Sequence, residues 1–221
     1  MHLLGFCQGT EILLDPEQLQ GLEGGGVLLE DGGRARAQRV LRGDFLGLFR
    51  IQVLQVGPGE LWVVLIGHGT FDGKEAKFNL RGPDLAASEL AAWLKPFQRP
   101  LAVINTASAS APFIAKLAGP NRVVLTATRT GNEQNYARFG GFLAEAISDP
   151  KSDLDKDGQI SLLEAFLSGS QRTAEFYKTE GRLATEHALI DDNGDGLGTP
   201  ADWYRGVRAT KQAKDGATLD G

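Results

Sequence analysis

Three short and almost wholly apolar runs constrain the fold of this 221-residue chain most strongly. They are LWVVLIG at 61–67, LAVIN at 101–105 and RVVLTAT at 122–128. Apolar runs of this length are typical of strands that are buried on both faces of a sheet. Because helical patterns lie between and after the runs, the sequence predicts an α/β domain with a mainly parallel sheet. The expected helices cover 84–97, with Asp84 as N-cap, and 111–119, 137–147 and 161–177.

The residues directly after each predicted strand are candidates for function, because ligands bind at the carboxyl ends of parallel strands. His68 follows the first strand between two glycines, which would leave its ring exposed in a cleft. Ser108 and Ser110 follow the second strand. A serine beside a histidine can act as a nucleophile with its base, although a lone histidine is more often structural.

The charge balance and the single cysteine exclude several classes of function. The net charge is −5 and the pI is about 5.3, which argues against nucleic acid and anionic membranes as partners but is compatible with cations. Cys7 is the one cysteine, so an internal disulfide and a cysteine-based zinc site are excluded. We expect Cys7 to be a small buried or terminal residue rather than a nucleophile.

No targeting or membrane-spanning segment stands out. The opening MHLLGFCQGTEILL lacks a basic region and a cleavage site of small residues. Apolar runs stay well below the roughly 20 residues that span a bilayer. The default expectation is a cytoplasmic location, whereas a longer upstream sequence would leave secreted or periplasmic locations open.

The segment from Asp153 to Glu164 predicts an EF-hand-type calcium loop. Such loops need oxygen ligands at positions 1, 3, 5, 7, 9 and 12, and a glycine at position 6. Gly158 stands at position 6, and Ile160 at position 8 is expected to anchor the loop to the core. The expected calcium ligands are Asp153, Asp155, Asp157, Gln159, Ser161 and Glu164. The alternative is an acidic turn that caps a helix.

A second acidic loop matches the same template in part. Positions 1, 3 and 5 are Asp191, Asn193 and Asp195. Gly196 stands at position 6 and Asp202 at position 12, but Gly198 occupies the anchoring position 8 and Pro200 interrupts the segment. Both a second calcium site and an Asx-turn loop, which these residues also favour, stay open.

The ordered series of motifs resembles the caspase–legumain–gingipain group of cysteine peptidases. The resemblance is carried by VVLIGHGTFDG (63–73), TASASAPFIAKL (106–117) and RVVLTATRTGNEQNYA (122–137). The runs DLDKDGQISLLEAF and LIDDNGDG also look like bacterial legumain-type relatives. The resemblance covers roughly residues 60–205 and implies a three-layer α/β/α sandwich with a mainly parallel, caspase-like sheet.

Carried over by position, the resemblance implies roles for three residues. His68 matches the catalytic histidine, Gly69 would offer its N–H to an oxyanion hole, and Ser108 stands where the nucleophilic cysteine belongs. A thiol is partly ionised at neutral pH, whereas a hydroxyl needs a base in tight contact. The substitution therefore predicts a catalytically degenerate domain.

Three functions follow from these expectations. The first is a calcium-binding peptidase-family domain without activity, and the second is an active hydrolase that uses Ser108 and His68 on a peptide or protein substrate. The third is a calcium-stabilised binding module without catalytic role. The expected organisation is an irregular or truncated N-terminal part at 1–58, the domain at 59–205 and a flexible tail at 206–221.

Overall fold

The structure, a computed structural model, describes residues 50–54 and 61–204. Side chains are described from Leu61 to Tyr204. Apart from a strand at 50–54, the predicted N-terminal part at 1–58 lies outside the described residues. The predicted tail at 206–221 also lies outside them, as does Cys7.

A mixed six-stranded sheet forms the centre of the described chain, with strand order β1-β2-β6-β7-β8-β9. Its strands are β1 (Arg50–Leu54), β2 (Leu61–Ile66), β6 (Leu101–Asn105), β7 (Arg122–Thr126), β8 (Leu189–Asp191) and β9 (Thr199–Pro200). Parallel pairing joins only β2, β6 and β7, whereas β1, β8 and β9 pair antiparallel with their neighbours. The predicted α/β class is confirmed, but the sheet is less parallel than expected because antiparallel strands complete both sides.

A smaller antiparallel sheet follows β2 directly. It contains β3 (Gly69–Phe71), β4 (Ala76–Phe78) and β5 (Leu85–Ala86). The four described α-helices are α1 (Ala87–Leu94), α2 (Pro112–Leu117), α3 (Phe139–Ser148) and α4 (Leu162–Thr179), and two 3-10 turns cover Pro150–Ser152 and Ala201–Tyr204.

Alternate residues of the central strands enter two separate apolar clusters. Leu101 and Val103 of β6 belong to a cluster with residues of α1 and α2, whereas Ala102 and Ile104 belong to a cluster with α3 and α4. This alternation follows from the period of two residues along a strand. Every residue of β6 is buried, as its continuous apolar run predicts.

The helix predicted from Asp84 begins three residues later. Leu85 and Ala86 pair with β4 as a strand, and Ala86 is the N-cap of α1. Asp84 instead accepts hydrogen bonds from the main-chain N–H of Leu80 (3.0 Å) and the amide of Asn79 (3.0 Å). The N-cap prediction is wrong because Asp84 closes the turn before β5.

The two acidic loops lie at the amino edge of the parallel strands. Helix α3 begins beside Thr106, just beyond the carboxyl end of β6. Tyr177, near the end of α4, donates its hydroxyl to Glu186, and Glu186 also binds the start of α3. The end of α4 and the start of α3 therefore lie at the same edge of the sheet. The loop that joins these helices therefore lies at the opposite edge. Strand β8 runs antiparallel to β7, and Gly194 lies beside Gly119, which precedes β7, so the chain beyond Asp191 also leaves at the amino edge.

None of the helices in the described part of the chain combines the length and the apolar character needed to cross a membrane.

Adjacent glycines at the start of α3 allow a test of its packing. A Cβ on Gly140 would lie 2.7 Å from the Cβ of Thr106, whereas a Cβ on Gly141 would have no heavy atom within 4 Å. We predict that Gly140→Ala lowers the free energy of unfolding by about 1–3 kcal/mol because α3 must shift away from the sheet. Gly141→Ala is the matched control and should raise it by up to about 1 kcal/mol, since alanine favours the helix.

Denaturant unfolding of both variants measures these changes. A Gly140→Ala variant as stable as Gly141→Ala would contradict the close contact between α3 and the turn after β6.

Candidate functional site

The ends of β2 and β6 bring His68, Gly69 and Ser108 to one edge of the sheet. His68 follows β2, and Gly69 opens β3. Ser108 lies in the turn between β6 and α2, and the N–H and hydroxyl of Thr106 both donate to the Leu65 carbonyl at 3.0 Å. These two bonds continue the β2–β6 pairing beyond the strands, so the turn that carries Ser108 is held against the residues that follow β2.

Ser108 makes two hydrogen bonds to the main chain of Gly69. The Gly69 N–H donates to the Ser108 hydroxyl at 3.1 Å, and this hydroxyl donates to the Gly69 carbonyl at 3.0 Å. Only 1% of Ser108 is exposed. A Cβ on Gly69 would collide with the Ser108 carbonyl, so only glycine allows this approach. The N–H that was predicted for an oxyanion hole points at the predicted nucleophile.

Ala109 follows Ser108 in a left-handed conformation, with φ of 53°. A residue with a Cβ costs about 1–2 kcal/mol in this region. The Ala109 N–H donates to the main-chain carbonyl of Glu133 at 2.8 Å, which connects the turn after β6 to the loop after β7. Strained residues of this kind concentrate at functional sites, where the surrounding structure holds them.

His68 contacts an aromatic side chain from the loop after β7. Its ring lies 5.9 Å from the Tyr136 ring in an edge-to-face arrangement, and the Arg138 guanidinium lies 5.5 Å above the same tyrosine. His68 is half-buried, whereas 57% of Tyr136 is exposed. Ile66, two residues before His68, is 42% exposed. The surface at this edge therefore combines an imidazole with exposed apolar groups.

Two acidic residues, Asp72 and Glu133, lie in segments next to this edge but have different partners. Asp72 accepts the N–H groups of Glu75 and Lys74, both at 2.8 Å, and these bonds lower the pKa of Asp72. Glu133 binds the His187 Nδ1 at 2.6 Å, and 14% of the Glu133 side chain is exposed. Asp72 shapes the β3–β4 turn, whereas Glu133 forms an imidazole–carboxylate pair.

His187 and Glu186 are residues that the sequence reasoning did not identify. Glu186 is 2% exposed and accepts the N–H groups of Arg138 and Phe139 at the start of α3, and the Tyr177 hydroxyl at 3.0 Å. Burial, and more weakly the nearby Glu186, raise the pKa of Tyr177, although the Thr185 hydroxyl opposes this. Their signal in the sequence is only a Glu-His pair before a short apolar run, which gives no partner.

The first acidic loop brings three predicted ligands together. One carboxylate oxygen each from Asp153, Asp155 and Glu164 lies within 4.8 Å of the others. Main-chain N–H groups orient the loop carboxylates: Gly158 donates to Asp153 at 3.0 Å, and Asp157 donates to Asp155 at 3.1 Å. Such carboxylate clusters bind calcium or other hard cations, and exposed acidic groups also occur without one.

The remaining predicted ligands and the anchor surround this cluster. Asp157 accepts the N–H of Gln159 at 2.8 Å, and Ser161 is the N-cap of α4. Ile160 packs against the apolar cluster of α3 and α4, which confirms its predicted anchoring contact. Glu164 is 1% exposed.

Glu164 connects the beginning and the end of the loop. One of its oxygens accepts the N–H groups of Leu154 (2.7 Å) and Asp155 (3.2 Å). The other accepts the N–H (2.7 Å) and the hydroxyl (2.8 Å) of Ser161, which forms a capping box at the start of α4. A buried carboxylate with four donors stabilises the loop closure, so Glu164 acts as a helix cap as well as a candidate ligand.

The second acidic loop repeats the backbone arrangement of the first. Asp191 accepts the N–H of Gly196 at 3.0 Å, as Asp153 accepts that of Gly158 five residues later. Asn193 accepts the N–H of Asp195 at 2.9 Å, which is the bond between positions 3 and 5. Positions 4 and 6 have positive φ in both loops, with values of 64° and 86° in the first and 79° and 80° in the second.

The two loops differ in what precedes and follows them. The second loop follows strand β8 rather than a helix and is followed by β9. Asp191 is fully buried, whereas Asn193 and Asp195 are exposed. Asp202, at position 12, is also exposed. The second loop thus has the backbone arrangement of the EF-hand template. Unlike the first loop, it has no buried carboxylate at position 12.

The predicted site residues therefore separate into three groups at two edges of the sheet. His68, Gly69 and Ser108 lie at the carboxyl edge, and the two acidic loops lie at the amino edge. No family model, curated protein or solved structure matches the chain. The chemistry of the described residues is thus what indicates a function.

The raised pKa of Asp155 in the first loop gives a prediction on pH. Burial, and then the neighbouring carboxylates of Glu164, Asp157 and Asp153, raise the pKa of Asp155, although the Asp157 N–H opposes this. A raised folded-state pKa means that protonated Asp155 favours the folded state at low pH, and that this contribution is lost as the pH rises through the folded-state pKa. We predict that Asp155→Asn raises the melting temperature at neutral pH without calcium.

Asp149 is the matched control at the preceding 3-10 turn. The N–H of Lys151 and the guanidinium of Arg172 lower the pKa of Asp149, so its contribution is present at neutral pH and is lost as the pH falls through the folded-state pKa. Asp149→Asn should therefore lower the melting temperature at neutral pH. Thermal melts in the presence of a chelator measure both effects. Equal shifts of the melting temperature in the same direction for both variants would contradict the opposite pKa shifts of Asp155 and Asp149.

Proposed function

We propose that this chain is a calcium-stabilised, catalytically degenerate domain of the caspase–legumain type. In this proposal Ser108, at the nucleophile position, has become a structural contact between the ends of β2 and β6. The observation that carries the proposal is the pair of hydrogen bonds between the Ser108 hydroxyl and the main chain of Gly69. A serine has one hydroxyl hydrogen, and here that hydrogen is donated to a carbonyl rather than to a base.

The arrangement of the motifs supports the relation to this family. The His-Gly pair follows β2, and Ser108 follows β6, the parallel neighbour of β2. Helices α1 and α2 pack in one apolar cluster and α3 and α4 in the other, as a three-layer caspase-like sandwich requires. A cytoplasmic location remains a prediction from the sequence.

The surface around His68 is proposed as a binding site for a peptide or protein segment. The Tyr136 ring, which contacts His68 and is 57% exposed, supports this site, and Ile66 adds exposed apolar area at the end of β2. Tyrosine is effective in recognition because it combines a large rigid surface with a polar end. This role does not need a nucleophile.

The proposed role of Ser108 predicts a loss of stability when its hydroxyl is removed. Ser108→Ala leaves the buried N–H and carbonyl of Gly69 without this partner, and we expect the free energy of unfolding to fall by about 1–3 kcal/mol. Ser88→Ala, on the exposed face of α1, is the control and should change it by less than about 0.5 kcal/mol. Equal stability of Ser108→Ala and the wild type would contradict the structural role.

The second candidate function is an active hydrolase with Ser108 as nucleophile and His68 as base. It requires the Ser108 hydroxyl to leave Gly69 and to donate to an imidazole. Treatment with a fluorophosphonate should leave the degenerate domain unlabelled, whereas labelling that disappears in Ser108→Ala would establish the hydrolase. Peptidase activity created by Ser108→Cys would show that the rest of the site is intact.

Calcium binding at the first acidic loop is the other part of the proposal. The cluster of Asp153, Asp155 and Glu164 supports it, because a divalent cation would relieve repulsion between these carboxylates. Burial first, and then this repulsion, raise the pKa of Asp155. Asp157, Gln159 and Ser161 complete the proposed ligand set. The repeated backbone arrangement supports a second calcium ion at Asp191, Asn193 and Asp195.

Calcium should therefore stabilise the domain. At about 100 times the dissociation constant it adds about 2.7 kcal/mol to the free energy of unfolding. Glu164→Gln should weaken binding because a neutral amide replaces the ligand carboxylate, and it should reduce this gain. Glu145→Gln removes a mostly exposed carboxylate from α3 and is the charge-matched control. Identical melting of the wild type in calcium and in chelator would refute the site.

Calorimetry distinguishes one calcium site from two. It also tests the third candidate function, a calcium-stabilised binding module without catalytic role. If both loops bind calcium, the wild type binds two ions and Asp195→Asn binds one. If the wild type and Asp195→Asn both bind one ion, the ion is assigned to the first loop alone. A calcium-stabilised module without the proposed ancestry would bind calcium but no peptide in the His68 surface.

A further inference from the structure

Glu133 is the acidic residue that connects three segments at the carboxyl edge. One of its carboxylate oxygens contacts the His187 Nδ1 at 2.6 Å. The other accepts the main-chain N–H groups of Arg129 at 2.7 Å and His187 at 3.2 Å. Its main-chain carbonyl accepts the N–H of Ala109 at 2.8 Å. A single residue therefore joins the loop after β7, the segment before β8 and the turn after β6.

The chemistry of a carboxylate favours one tautomer of the imidazole in this pair. A carboxylate without a proton can only accept, so the tautomer that suits this contact is the one in which His187 donates through Nδ1. The ring nitrogen Nε2 is then the one left for other partners, and 38% of the His187 side chain is exposed. Charge-assisted bonds of this length are among the stronger hydrogen bonds in proteins, which makes the pair a rigid support.

The Glu133–His187 pair lies next to the turn that carries Ser108. Ala109 is held with a φ of 53° by its bond to the Glu133 carbonyl. The direction of the chain at Ala109 determines where the side chain of Ser108 lies relative to Gly69. The Ser108 hydroxyl thus lies one residue before a main-chain bond to the loop that carries the Glu133 carboxylate.

We propose that Glu133 is a positioning residue of the carboxyl edge, and that its carboxylate, paired with His187, holds Ala109 and thereby Ser108 against Gly69. This inference deepens the proposed function, because it rests on the role of Ser108 at this edge. It is independent of calcium, since both acidic loops lie at the other edge of the sheet.

Amide hydrogen exchange in the full chain tests the inference, with strand β6 as the reference for global opening. Glu133→Gln keeps the shape of the side chain but replaces the carboxylate by a neutral amide, so the bonds to His187 and to the Arg129 N–H lose their charge assistance. We expect the exchange of the Ala109 amide to accelerate at least about tenfold, while amides within β6 stay as slow as in the wild type. Unchanged Ala109 exchange, or equal acceleration throughout β6, would overturn the proposal.

Substitutions at His187 provide the rescue experiment. The side-chain amide of His187→Asn can donate from nearly the position of Nδ1, whereas His187→Ala has no donor. Slow Ala109 exchange in His187→Asn together with fast exchange in His187→Ala supports the pair, and the same rate in both variants sinks it. Glu145→Gln is the control for the loss of one negative charge and should leave Ala109 exchange unchanged.

A separate amide distinguishes this inference from the proposed role of Ser108. In Ser108→Ala the Gly69 amide should exchange faster because it loses its acceptor. Slow Gly69 exchange in that variant counts against the Ser108 contact, whereas the Ala109 result in Glu133→Gln counts for or against Glu133. The outcome of one experiment therefore does not decide the other.

Discussion

The contact between Gly69 and Ser108 is the constraint on which the carboxyl edge depends. Two hydrogen bonds and a close main-chain approach join the residues that follow β2 and β6. A side chain at position 69 would separate them. Because β3 begins at Gly69 and α2 follows Ser108, the same contact places the small sheet and the second helix relative to the central strands.

The same contact changes the chemistry that the motif can perform. In a cysteine peptidase the nucleophile must be available to its base and to the substrate. Here the hydroxyl is buried and its hydrogen is donated to the Gly69 carbonyl. This geometry is the support for the proposed loss of catalysis and for the proposed binding surface around His68.

The opposite edge is ordered by carboxylates that accept main-chain N–H groups. Glu164 caps α4 and closes the first loop, and Asp191 closes the second. These bonds also bring oxygens of Asp153, Asp155 and Glu164 within 4.8 Å of one another, and carboxylates this close repel each other. The structure thereby separates a proposed cation-dependent edge from an edge held by neutral contacts and by the Glu133–His187 pair.

Local patterns in the sequence predict the central strands and the helices, because burial on both faces and helical periodicity leave a direct signature. They also predict the acidic cluster of Asp153, Asp155 and Glu164 and the anchoring contact of Ile160, since all of these lie within twelve residues of one another. The start of α1 is wrong because Leu85 pairs with β4, a contact that helical propensity does not contain.

The sequence by itself determined the α/β class and the positions of His68, Ser108 and the two acidic loops along the chain. The tertiary structure decided that Ser108 binds Gly69, that Glu133 pairs with His187 and that Glu186 caps α3. These partners are separated by 39, 54 and 47 residues in the chain. Only the packing of β2, β6, β7 and β8 side by side brings them within hydrogen-bond distance, and no local pattern encodes that.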